Sequence, residues 1–94
     1  MTDEDEDKAA KAFVAAYEEA VSRLLRAASL GGSTADRITQ LLMSLIAGGP
    51  GPDMGRLMAF ADEDNRKAIL RVLEGQAILG VHPRLDRWRM TNAA

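Results

Sequence analysis

Residues 10–28 read AKAFVAAYEEAVSRLLRAA, and their spacing decides the fold class. Ala10, Val14, Tyr17, Val21, Leu24 and Ala28 recur at alternating intervals of four and three, with Phe13, Ala20 and Leu25 widening the stripe on one side. That period belongs to an amphipathic α-helix. Glu18, Glu19, Arg23 and Arg26 fall mostly off the stripe, and Glu19 precedes Arg23 by four, the favourable order for an ion pair along a helix. Upstream, Asp3, Glu4, Asp5, Glu6 and Asp7 are consecutive. Carboxylates there suit the positive end of the helix dipole, so a helix is expected from about residue 4 to 29. Gly31 and Gly32 supply its stop, since glycine tolerates the left-handed conformation that closes a helix.

Further along the chain, Ile38, Leu41, Leu42, Leu45 and Ile46 put large aliphatics on one face of a second helix, with Ser33 or Thr34 as its expected cap and Asp36 in its first turn. Gly48, Gly49, Pro50, Gly51 and Pro52 end it, through backbone entropy and missing amide donors. Asp53 can cap a short third helix carrying Met54, Leu57, Met58, Phe60 and Ala61. The polar run Asp62 to Asn65 either interrupts that helix or forms an exposed turn of a longer one reaching Leu79. A break is favoured, because Asp62 or Asp64 can cap a fresh helix with Ile69, Val72, Leu73, Gln76 and Ala77 on its stripe. Gly75 inside that helix suggests close approach of another backbone. Gly80 ends it, and Pro83 suits the first turn of a last short helix containing Leu85 and Trp88, with residues 91–94 expected to fray.

Composition agrees. The chain has 94 residues, room for one domain spanning 1–94 with an acidic N-terminal end over about 1–8. Apolar residues make up 47%, yet many are alanine, and only four aromatics occur, which argues against a β-sandwich and against disorder. With no run of about 18 apolar residues, a membrane span is not expected. The absence of cysteine removes disulfides, zinc ribbons and thiol chemistry. An acidic start is unlike a secretory signal, so a cytoplasmic setting is expected. Ala, Arg, Gly and Asp usage has a high-GC bacterial or phage character. The formal charge is −2, divided as −5 over residues 1–19 and +3 over the remainder, so the body is mildly basic.

The chemistry-bearing patterns come up short. Gly48 to Arg56 satisfies neither a P-loop nor a dinucleotide fingerprint, with Met54 where the third glycine belongs. Calcium loops starting at Asp3 or Asp62 fail at the twelfth position, where Val14 and Leu73 stand. His82 is the only histidine and reads best as a turn residue capping the last helix, although Asp86 four residues on could orient its imidazole. Ser22, Ser29, Ser33 and Ser44 lack a nucleophile elbow. No catalytic residue, cofactor or metal is therefore expected. Met54 and Met58 read as core fillers before adaptable contacts.

Two functional readings remain. The first is an all-α bundle of four to five helices, completed by self-association, with a dimer favoured. It would act as a non-catalytic adaptor, assembly factor or inhibitor toward an unidentified protein partner, with the acidic end steering by charge. Helices one and two would form a hairpin with the chain from Asp53 onward packed across it. The contact face would be Val14, Tyr17, Val21 and Leu24, or Leu41, Leu42 and Leu45, with Trp88 as a partner-facing anchor or a cover for the bundle end. The second is a small nucleic-acid-binding regulator or packaging component using Arg84, Arg87 and Arg89 around Trp88, with Arg66, Lys67 and Arg71 as a further basic cluster. Acidic neighbours and the lack of a helix-turn-helix pattern weigh against it.

Overall fold

A computed structural model describes residues 3–92. The order is α1 (Asp3–Ala28), α2 (Ser33–Ala47), α3 (Met54–Phe60), α4 (Glu63–Leu79) and α5 (Pro83–Asn92). The chain is a small all-α bundle, with no strand among the described residues. Thr91 and Asn92, expected to fray, complete α5, where the Thr91 hydroxyl donates to the Arg87 carbonyl at 3.1 Å. Met1, Thr2, Ala93 and Ala94 lie outside the described residues.

Each junction shows why its helix stops or starts. Ser29 and Leu30 close α1 with short-range bonds to the carbonyls of Arg26 and Ala27, and Gly31 and Gly32 then take positive φ angles of 79° and 95°. This corrects the expected cap of α2. Gly32 occupies the N-cap position and Ser33 is already helical, with no side-chain cap bond. A serine or threonine cap needs a β-region backbone, which the sharp glycine turn does not provide. The caps of α3 and α4 are side-chain caps as expected. Asp53 accepts from the Arg56 amide at 3.1 Å and Asp62 from the Asn65 amide at 2.7 Å, so residues 54–79 form two helices. At α5, Pro83 is the first helical residue and His82 Nδ1 accepts from the Arg84 amide at 3.1 Å, a ring nitrogen serving as cap.

All five helices feed one core. Val21 and Leu24 from α1, Ile38 and Leu42 from α2, Leu57 from α3, Ile69 and Val72 from α4, and Leu85 from α5 are fully buried. Removing one such aliphatic side chain from water stabilises by about 1.5–3 kcal/mol, so a small bundle depends on each of them. Met54 and Met58 pack against this core half-buried, as gap fillers. Helix order differs from the expected hairpin in one respect. The principal partner of α1 is α4, which runs antiparallel to it, while α2 contacts α1, α3 and α5. The antiparallel sense follows from the pairing of Tyr17 with Gly75 and of Arg23 with Asn65. Small residues explain the preference, since Ala20 and Ala27 on α1 and Ala68 and Gly75 on α4 are all buried and allow close approach of the helix axes.

Polar contacts hold the ends of the bundle. Gln76 Nε2 donates to the Leu45 carbonyl at 2.8 Å, satisfying a carbonyl in the last turn of α2 that no intrahelical amide can reach. Arg23 donates to Asn65 at 3.1 Å and pairs with Asp64 at 3.5 Å, linking the rear of α1 to the first turn of α4.

Candidate interaction surface

The residues expected to form a partner-binding face divide sharply by burial. Tyr17, Val21, Leu24, Leu41 and Leu42 lie inside the protein's own core. Leu45 and Trp88 are half-buried and packed against it. Val14 alone among them is exposed, at 46%. The stripe read from the sequence is continuous, but the bundle covers only its rear half. From Asp3 to Ala12 every residue of α1 is exposed.

Tyr17 marks the boundary between the two halves. Its hydroxyl donates to the Gly80 carbonyl at 2.9 Å and accepts from the His82 amide at 3.1 Å. The His82 ring stands edge-on to it, with centroids 5.5 Å apart and planes at 88°. Burial pushes the Tyr17 hydroxyl above its ordinary value, and the His82 amide, which favours the phenolate, opposes this more weakly. These bonds pin the Gly80–His82 turn to α1 one helical turn from Val14. Leu79 and Val81 flank Gly80 and are exposed at 48% and 37%. On α1 itself a shallow groove is lined by Ala10, Lys11, Val14, Ala15 and Glu18.

The basic residues do not assemble into one surface. Arg84 is half-buried and its guanidinium donates to the Ser22 hydroxyl on α1. Arg87 is exposed and Arg89 half-buried. At about 100° per residue, Arg89 lies about 140° around α5 from Arg84. On α4, Lys67 pairs with Glu63 at 3.2 Å and Arg66 donates to the Ala61 carbonyl at 3.3 Å. The depression between α1 and α4 is of mixed charge, with Glu19 and Asp64 beside Arg23, Lys67 and Arg71. Elsewhere Phe60 is 70% exposed beneath the Arg37 guanidinium, 5.9 Å from the ring centroid.

Among the described residues, no group of His, Asp and Glu side chains could hold a metal ion, and no helix is long and apolar enough to cross a membrane. Comparison with protein-family models, with curated proteins and with solved structures finds no match. Sequence reasoning missed Leu79 and Val81, whose exposure follows from the turn that Tyr17 holds, a contact between residues more than sixty positions apart. It also missed Lys11 and Glu18. Their spacing about Val14 was visible in the sequence, but nothing there said which half of the stripe stays open.

Proposed function

We propose that the chain is a non-catalytic helical protein–protein interaction module, an adaptor, assembly factor or inhibitor that docks through the open front half of α1. The observation that supports this is Val14, left 46% exposed at the end of a helical arm whose residues 3–12 are all exposed, with Leu79 and Val81 also uncovered on either side of the Gly80 carbonyl that Tyr17 holds. Apolar side chains left half-open at one end of a small bundle gain stability when a partner covers them. The acidic run at the start of the arm adds charge steering toward basic partners. A cytoplasmic setting belongs to the same reading, since a small secreted domain commonly relies on disulfides and this chain has no cysteine.

The test is affinity capture at low salt from the source organism, with and without nuclease, comparing the wild type with Val14→Asp and with the triple change of Arg84, Arg87 and Arg89 to Ala. A stoichiometric protein that is retained by the wild type, resists nuclease and is lost with Val14→Asp supports the module. Nuclease-sensitive nucleic acid that leaves with rising salt and with the triple change overturns it in favour of a nucleic-acid-binding regulator.

A further inference from the structure

The open face of α1 carries charges in an order that reads the same way in only one kind of pairing. Asp7, Lys11, Val14 and Glu18 follow one another at helical spacing along it. Ser22 comes one turn later, and its hydroxyl holds the Arg84 guanidinium. Along the helix the sequence of charges is negative, positive, neutral, negative, positive. Reversed end to end, it becomes its own complement. Among the described residues, no ion pair engages Asp7, Lys11 or Glu18 within the chain.

We propose that this face pairs antiparallel with the same face of a second copy, about a two-fold axis passing at Val14. The inference rests on reading α1 as the docking element and names its occupant. With Val14 set against Val14 of the other copy, Lys11 comes level with Glu18 of that copy, offset along the axis by only about 1.5 Å, the rise of one residue. The same arithmetic brings Asp7 level with Ser22 to within about 1.5 Å, and Ser22 is the residue that holds the Arg84 guanidinium. Symmetry repeats both pairs, so four ion pairs flank a central apolar contact, as an isologous interface requires. A parallel arrangement in register would set like charge on like at every level. Ala10 and Ala15 line the same groove and are small enough to let two helices approach closely. The rear of α1, already covered by α4 and α2, takes no part, and Arg84 reaches the face from α5.

Sedimentation equilibrium of the full chain tests this, using the wild type, Lys11→Glu, Glu18→Lys, the double variant and an equimolar mixture of the two single variants. These residues are exposed, and circular dichroism checks that each variant stays folded. The wild type is expected to form a dimer that weakens with salt. Each single reversal turns two attractive pairs repulsive and raises Kd by about tenfold or more. The double variant restores the dimer, and so does the mixture, because each single variant then meets the opposite charge on its neighbour. A dimer indifferent to both reversals overturns the pairing, and so does a wild type that stays monomeric up to about 0.5 mM, a concentration that would reveal even a weak dimer. In the monomeric case, a different captured protein that Val14→Asp releases leaves the interaction reading standing, whereas capture indifferent to Val14→Asp ends both.

Discussion

A methyl group placed on Gly75 would stand 2.5 Å from Cγ and Cδ1 of Tyr17, so the backbone of α4 lies directly against the tyrosine ring. Both partners are buried, and the atoms in the way belong to the inner end of the ring. Gly75→Ala gains up to about 1 kcal/mol of helix propensity but forces a ring or a helix to shift, which typically costs about 1–3 kcal/mol. A net loss of about 1–2 kcal/mol in urea unfolding is expected, against the usual benefit of replacing a helical glycine.

Tyr17→Phe keeps the ring and removes the hydroxyl that serves both Gly80 and His82. The partly buried His82 amide then lacks its acceptor, and stability falls by about 1–2 kcal/mol. The pH dependence has a definite sign. Because the folded hydroxyl titrates above the unfolded one, its contribution is fully present below the ordinary tyrosine value and is lost as pH rises through the folded value. Denaturation curves collected upward from about pH 9 should show a decline in the wild type that is smaller in Tyr17→Phe.

Asp62 accepts the Asn65 amide at the start of α4, and α4 is the main support of α1. Asp62→Ala should lower the unfolding free energy by about 1 kcal/mol, while Asp62→Asn, which keeps a capping oxygen, should stay within a few tenths. Thermal melts of both variants provide the check.

Core and surface separate most cleanly in a comparison of Leu42 with Val14. Leu42 is fully buried, and Leu42→Ala should cost about 2–5 kcal/mol, with Leu42→Asp failing to fold. Val14→Asp, on a half-open position, should change monomer stability by less than about 0.5 kcal/mol. Chemical denaturation followed by circular dichroism distinguishes the two.

Much of this architecture was legible because it is local. Apolar period, the aspartates at 53 and 62, Pro83 and the glycine pairs each act within a turn or two of themselves, and the helices begin and end where those residues stand. Gly75 could be read as a place of close approach, though its neighbour could not be named. The pairing of α1 with α4 ahead of α2 was not legible, since two amphipathic stripes of equal period give no measure of which will meet. The candidate surface suffered from the same limit. Tyr17, Val21 and Leu24 have the same spacing whether they face a partner or the chain's own later helices, and only the structure distinguishes the covered half of the stripe from Val14. The Ser33 cap failed for another reason, because the glycine turn before it dictates a backbone that a capping serine does not adopt.

The antiparallel contact between α1 and α4 also sets the order of events during synthesis. A ribosome needs about 2–10 s to add the residues from Ala28 to Gly75 at usual elongation rates. Through that interval the emerging first helix has only α2 to lean on, and the tyrosine near its midpoint has neither its glycine nor its turn to bond. Closure of the bundle therefore waits for the last quarter of the chain, and a nascent or prematurely ended product displays a bare apolar helix to whatever chaperone or protease meets it first.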